Sequence, residues 1–516
     1  MARERLTWIL LDPAQDIDRR RFDAYLIERA DIVTQCSQKG RSPMLTDGQR
    51  QRLRDKAYDL LREVGIKVEN EKITTDMLRL GCASSPGNRV RIPETVINQV
   101  VSVREKRRAA EAAVRSATPQ KGQASGFRMA VFGNGPTRFY DLPNRRVVAA
   151  NTDIYVQMLK FAHAASAVNY MRPWFRQDVP QPIEALDSLV IGLKHTTKMG
   201  AADAMLPEHV KYLIEIGEIV HDRPGDTTYL GGAQCMTPPL ILGKRSADEM
   251  VELAQRGVKK FYVASMVTMG MTTPVTVAGA IVMGVAEILG GLVAAWSQDH
   301  EARLTGRIVT SVLDMSTGNM NYTAPEAALA DIGVKEVFDA FLGGNLVAGP
   351  AYGPSAKVPG LQAVSENFWA AARFAQLAGA AVFYPGNGNL DLGGLGSPAQ
   401  AILDMEIRKT LSGDQDRFTV DDEAIPFQEI CERARNGASF LDSEHTLEHF
   451  RKLWSSRIFR NTSPVPGGWV GNESSILETC DRIWQNHVEA YSPPAWPADK
   501  LKALDMVLAR AKRELL

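Results

Sequence analysis

KKFYVASM (259–266), VTVAGAIVMGVAEILGGLVAAW (275–296) and RIVTSVL (307–313) follow one another in the chain and decide the fold. The first and third are short runs rich in β-branched and aromatic residues, read as strands. The middle run is long enough to span a bilayer. It carries Glu287 and four glycines, Gly279, Gly284, Gly290 and Gly291. A lone ionisable group is costly in lipid, so the run is read instead as a buried helix whose glycines permit close packing. Strand, helix, strand is the repeating unit of a parallel sheet.

Outward from this unit the pattern repeats. Further candidate strands are AVNYMRP (167–173), TTKMGAAD (196–203), TTYLGGAQ (227–234), GNLVAGPAY (344–352) and AAVFYPGN (380–387). Helical stretches such as ADEMVELAQRG, PEAALADIGVKEVFDAFL and VSENFWAAARFAQLAG separate them. The alternation favours a (β/α)8 TIM barrel over an open sheet, and no G-x-G-x-x-G follows the first strand to support a dinucleotide fold. The expected class is α/β: a TIM barrel with an N-terminal helical module, a β-hairpin insertion and a C-terminal helical extension. The expected boundaries are an arm at 1–45, the helical module and hairpin at 46–150, the barrel at 151–425 and the extension at 426–516. In the module, Thr46 and Asp47 can cap a helix carrying Leu53, Ala57, Leu60, Leu61 and Val64, which Gly65 stops. RMAVFGNGPTRFYD, two β-rich runs around Gly133-Asn134-Gly135, reads as the hairpin.

Composition narrows the class of function. The chain has 516 residues, 45% hydrophobic and 23% charged, with 60 Lys plus Arg against 60 Asp plus Glu. No global field draws it to nucleic acid or anionic lipid. The run Arg104, Lys106, Arg107, Arg108 is read as a solvated helix face. Five scattered cysteines, never in C-x-x-C spacing, point to reduced thiols. With too short an apolar run at the N-terminus for a signal peptide, a cytoplasmic location is expected.

Several segments resemble the trimethylamine methyltransferase superfamily. They are GIKVENEK (65–72), RVRIPETVI (89–97), TPVTVAGAIVMGVAEILGGLV (273–293), LDMSTGNMNYTAPEAAL (313–329), SAKVPGLQAVSE (355–366) and FLDSEHTLEHFR (440–451). The founding enzymes contain pyrrolysine; this chain shows only standard residues and so resembles the non-pyrrolysine branch. The resemblance implies a TIM barrel that moves a methyl group from a quaternary amine such as glycine betaine to the Co(I) of a corrinoid. The corrinoid (cobalamin) would be supplied by a separate partner protein, with no cofactor bound permanently. Self-association into a homo-oligomer is also expected, from the apolar glycine-containing helix and the Trp-rich C-terminus.

A quaternary ammonium cannot donate hydrogen bonds, so its natural partners are ring faces and a nearby carboxylate. In a barrel the loops after the strands share one face, where active sites sit. Trp174, Phe175, Tyr322, Tyr352 and Tyr384 fall at or just beyond the ends of candidate strands. Asp314 and Asp391 could add negative charge, and Arg172 and Lys357 could bind the carboxylate of a betaine. Each has a plainer role open to it: packing for the rings, turn capping for the aspartates, ion pairing for the cations. His445 and His449, in HTLEH, share a helix face, but the metalloprotease Glu is replaced by Thr446 and no third ligand is close. No metal site is expected. Two rivals to methyl transfer stay open: a betaine-binding sensor without catalysis, and another TIM-barrel enzyme acting on a small anion.

Overall fold

The computed structural model describes residues 43–117, 129–133, 135–349, 353–379, 382, 384–411, 418–453, 455–459 and 472–516. The arm expected at 1–45 lies almost wholly outside them. The chain opens with helix α1 (Asp47–Glu63), strand β1 (Ile66–Val68), α2 (Glu71–Arg79), β2 (Ala83–Ser85), β3 (Arg89–Arg91) and α3 (Glu94–Ala117). Thr46 caps α1 in a reciprocal capping box with Gln49. The module is not purely helical. β1 pairs antiparallel with β3 and parallel with β11 (Ile241–Leu242), giving a small sheet in the order β11-β1-β3-β2. The apolar alternation in GIKV and RVRI forms strands because a sheet edge from a distant segment is there to receive it.

β4 (Met129–Val131), β5 (Arg138–Asp141) and β6 (Arg146–Ala149) follow. The hairpin lies one strand later than the sequence reading placed it. β5 pairs antiparallel with β6, whereas β4 pairs in parallel with β7 (Val168–Met171). Gly135 instead serves the loop: a Cβ there would stand 2.6 Å from the carbonyl oxygen of Pro173. Gly135, read as part of the hairpin turn, meets a close backbone approach from elsewhere in the chain.

The central region alternates as expected. After α4 (Thr152–Ala164) and β7 come α5 (Gln181–His195), β8 (Ala202–Asp203), α6 (His209–His221), β9 (Leu230–Gly231), β10 (Gln234–Cys235) and α7 (Lys244–Gln255). Then follow β12 (Lys260–Met269), α8 (Val277–Gln298), β13 (Arg303–Leu313), β14 (Met320–Asn321), α9 (Pro325–Phe341), β15 (Leu346–Val347) and α10 (Leu361–Ala378). Parallel neighbours run in chain order: β4 with β7, Met171 with Met199, β8 with β9, β10 with β12, β12 with β13, and β13 with β15. The Phe132 N–H, just past β4, donates to the carbonyl of Asn387, the last residue of the candidate strand AAVFYPGN, at 2.9 Å. The molecule is thus mixed α/β, with several sheets of which none is closed among the described residues.

α8 is the core helix. Fifteen of its residues are buried, from Ala280 to Trp296, each large aliphatic among them stabilising the fold by about 1.5–3 kcal/mol. Its glycines permit the expected close contacts. A Cβ at Gly291 would stand 2.6 Å from Val263, and one at Gly284 would stand 3.0 Å from Ile308. Glu287 is held inside by two donors, the Leu240 N–H (2.7 Å) and the Ser265 hydroxyl (2.6 Å). Burial still pushes its carboxyl above the ordinary range. Of the described helices this one is long and apolar enough to cross a membrane, and it is mostly buried inside the protein.

Short strands β16 (Asn389–Leu390) and β17 (Leu395–Gly396) join β5 and β6 in a separate sheet. The chain ends in α11 (Pro398–Thr410), α12 (Phe427–Asn436), α13 (Glu444–His449), α14 (Asn472–Glu489) and α15 (Ala498–Leu515). Trp484 and Trp496 anchor this end; the Trp496 indole donates to the Leu193 carbonyl at 2.8 Å. Trp454 and Trp469 lie outside the described residues.

Candidate functional site

The C-terminal ends of the parallel strands hold two unlike groups of side chains. At β7 and β8, Arg172 forms an ion pair with Asp203 on the next strand, and its Nε–H donates to the Ala201 carbonyl at 3.4 Å. Trp174 is fully buried, its ring meeting Phe132 edge-on at 5.0 Å between centroids. Gly396 lies so close that a Cβ there would run into the indole. Phe175 is half-buried beside Gly135. Arg172, Trp174 and Phe175 do meet, around a slot of about 10 Å3, room for about one water. Behind it Arg176, 3% exposed, pairs with Asp187 and donates to Ser188 Oγ and Thr152 Oγ1, both at 2.8 Å.

Tyr384 is also internal. Its hydroxyl donates to Asp404 Oδ1 at 2.9 Å, and Asp404 further accepts from the Gly388 N–H and the Gln400 side-chain amide, each at 2.8 Å. Burial lifts the Asp404 carboxyl to about 6 and raises the Tyr384 phenol as well. Asp314 sits in an exposed turn, accepting from the Ser316 N–H (2.9 Å), the Ser316 hydroxyl (2.6 Å) and the Thr317 hydroxyl (2.9 Å). Those bonds hold its carboxyl below the usual range. Asp391 pairs with Arg138 at 2.8 Å. Lys357 is exposed, and Tyr352 lies outside the described residues. His445 and His449 stack at 4.2 Å; no cluster of three potential metal ligands occurs among the described residues.

Tyr322 is placed differently. It lines a cavity of about 670 Å3 between the ends of β13 and β15 and the helices α9 and α10. Trp369 and Phe374 of α10 complete an aromatic lining, with Thr310, Glu326, Asp331 and Arg373 as polar groups. Trp369 is 49% exposed, and its indole N–H donates to the Thr323 carbonyl at 3.1 Å, tying α10 to the loop that carries Tyr322. Asp331 is buried and accepts from the Thr310 N–H at 2.9 Å. Burial pushes its carboxyl up to about 8, so at neutral pH it is mostly protonated. Arg373 donates from Nη1 to Gln376 at 2.8 Å, while its Nε is buried with no partner among the described residues. An unpaired buried donor is costly; at a cavity wall it marks a place for an acceptor.

Trp369, Phe374, Arg373 and Asp331 were not singled out by sequence reasoning. One signal was present: Trp369 and Arg373 stand four apart in the helix ENFWAAARF, hence on one face. The candidates were sought only after strands, and these four stand on helices.

A pocket at the ends of parallel strands, walled by rings and mixed charges, is the architecture of a small-molecule enzyme, and comparison with known proteins makes that enzyme a methyltransferase. The chain belongs to the trimethylamine methyltransferase (MTTB) family, whose profile matches residues 20–515. It is 23% identical over 483 residues to a glycine betaine methyltransferase of Desulfitobacterium hafniense, covering 92% of this chain and 98% of that one. It is 24% identical over 329 residues to the trimethylamine methyltransferase MttB of the same species, covering 62% and 63%. To MttB2 of Methanosarcina mazei it is 26% identical over 353 residues, covering 64% and 68%.

Proposed function

We propose that this methyltransferase takes its methyl group from a quaternary amine of the betaine type and delivers it to the Co(I) of a corrinoid on a separate protein. The observation that carries the reading is the 670 Å3 cavity, where Tyr322, Trp369 and Phe374 share a wall with the half-satisfied guanidinium of Arg373. Ring faces attract a fixed cation that cannot hydrogen-bond. Glu326, and Asp331 once ionised, add negative charge. Arg373 Nε offers a charge-assisted bond to the carboxylate of the same small molecule. In the same reading the parallel neighbours are arcs of one (β/α)8 barrel with β4 as its first strand, and the cavity belongs to its C-terminal rim.

The chemistry asks little of acids or bases. The carbon–nitrogen bond breaks with its electron pair staying on nitrogen, so a neutral tertiary amine leaves and needs no proton. The methyl acceptor supplies the new bonding pair. The protein's task is to hold the cation and aim one methyl at the acceptor. A cavity larger than a betaine needs leaves an open side for that approach.

The test is direct. The full chain is mixed with glycine betaine and a corrinoid protein reduced to Co(I), and absorbance is followed. Loss of the Co(I) band with formation of dimethylglycine supports the proposal. No reaction with glycine betaine or any other quaternary amine overturns it, and saturable betaine binding without turnover identifies a sensor instead.

A further inference from the structure

Self-association cannot run through α8, which is mostly buried inside the protein. Bare apolar surface is concentrated elsewhere. Among the described residues, eleven of the twenty-five large apolar side chains exposed to solvent lie between 418 and 459. That stretch holds α12 and α13, and no described residue of either helix is buried.

α12 is amphipathic all the same. Phe427, Ile430, Cys431 and Ala434 follow at i, i+3, i+4 and i+7, the spacing of a stripe that a neighbour covers. Phe427 is 63% exposed. In α13 and the turn after it, Leu447, Phe450 and Leu453 repeat the three-residue spacing, and Leu447 and Leu453 are 55% and 73% exposed. Helices of ten and six residues are marginal in water on their own. A fully exposed side chain of this size offers on the order of 150–200 Å2. At their several exposures the eleven together leave on the order of 1,000 Å2 bare. A monomer's largest apolar patch is about 300–600 Å2, whereas a stable complex buries about 800 Å2 on each partner.

The two helices are held ready as a hairpin. Gly437 ends α12 in the left-handed region, at φ 60°. Arg433 bonds Glu429 at 2.8 Å within α12, Asp442 at 2.6 Å beyond the turn, and the Ser439 carbonyl. Ser443 caps α13, accepting from the Thr446 N–H at 2.9 Å. Past α13, Ile458 is buried in the main core and the Arg457 N–H donates to Glu406 at 3.2 Å. A surface pre-formed in this way loses little entropy on association.

The charges along α12 fit a second copy of itself. Asp421, Asp422 and Glu423 precede the helix, Glu429 and Glu432 lie along it, and Arg433 and Arg435 come last. Two such helices packed antiparallel set the acidic end of each beside the basic end of the other, as a two-fold axis requires. The midpoint of α12 falls beside Cys431.

We propose that the helical hairpin at 418–459 is a homodimer interface, in which α12 packs antiparallel against α12 of a second copy about a two-fold axis near Cys431.

The full chain is followed by sedimentation velocity over a concentration series. Separately it is treated with a bis-maleimide short enough to join thiols across packed helices, about 8–10 Å apart. The wild type should sediment as a dimer, or an assembly of dimers, and cross-link through Cys431. Phe427→Glu and Leu447→Glu should each raise the dimer Kd about thirtyfold or more. Both side chains are exposed, so the far-ultraviolet spectrum should not change. Cys431→Ser should abolish the cross-link and keep the dimer. A wild type that stays monomeric overturns the proposal, also where the hairpin variants weaken only the binding of a corrinoid protein. So does an assembly that both Glu variants retain, or one in which the wild type forms no cross-link through Cys431.

Discussion

At the ends of β7 and β8, Arg172 is paired with Asp203, Trp174 is sealed under Phe132, and about 10 Å3 is left open. At the β13–β15 side, Tyr322, Trp369 and Phe374 stand around about 670 Å3, and Arg373 keeps one buried donor unmatched. Both stretches put aromatic and cationic side chains just past strand ends. The difference lies in what the next layer offers. Behind Trp174, helix α5 brings Glu184, Asp187 and Ser188 to meet Arg176, although the buried Trp174 indole N–H has no partner among the described residues. Behind Tyr322, α9 and α10 line the cavity with small residues, Ala324, Ala328 and Ala370. A strand end becomes a site when the helices behind it leave space.

The sharpest break of this contrast is to truncate one ring on each side. Trp174→Ala empties a fully buried position and should cost about 3–5 kcal/mol in denaturant unfolding, with KM for the amine unchanged in the protein that folds. A raised KM with stability intact would reverse the two sides.

Arg373→Met should raise KM for glycine betaine by about ten- to a hundredfold, the worth of a charge-assisted bond of about 1.5–3 kcal/mol. Tetramethylammonium has no carboxylate, so its KM should hardly move. Equal effects on both cations would show that Arg373 acts on the fold of the cavity and not on the ligand. Trp369→Ala should affect both cations alike, by about three- to tenfold, since a ring face reads only the ammonium.

A smaller effect comes from Asp331. Its raised carboxyl means that ionisation completes only above about pH 8. Ionisation places a negative charge beside the cation, so KM should fall severalfold as pH rises through 8. Stability should run the other way. Between the ordinary carboxyl value and about 8 the folded form holds a proton that the unfolded chain has released. Stability therefore falls as pH rises across that window. Asp331→Asn should flatten the KM profile. It should remove only part of the stability slope, because Glu249 is raised to about 8 by burial as well.

The sequence made the alternation legible because the unit around α8 is buried on all sides, and burial writes itself as unbroken apolar runs. Glu287 was legible as a charge that must be satisfied internally; its partners, the Leu240 N–H and Ser265, were not, since they lie far from it in sequence. The sheet of β1 and β3 was hidden because each strand has three residues and β11, the parallel neighbour of β1, pairs Ile241 with the distant Lys67. The cavity was half legible. Tyr322 follows a strand and was found by that rule. Trp369 and Arg373 sit within a helix that reads as ordinary amphipathic structure, and only the cavity they line gives them a role.

The last contrast is between two cations, and its outcome on one side is no change. Arg172 and Lys357 follow candidate strands as a carboxylate-binding cation should, yet the fold places them otherwise. Arg172 already holds Asp203, each side chain about a quarter exposed, and Lys357 is exposed to solvent. An ion pair of that exposure contributes about 1 kcal/mol or less, so Arg172→Met should lower stability slightly. Lys357→Ala should leave stability within about 0.5 kcal/mol. Neither should alter the KM ratio between glycine betaine and tetramethylammonium, the quantity that Arg373→Met changes most. If Arg172→Met shifts that ratio instead, the betaine carboxylate sits at the β7–β8 side, and the ion pair with Asp203 is a resting state that substrate displaces.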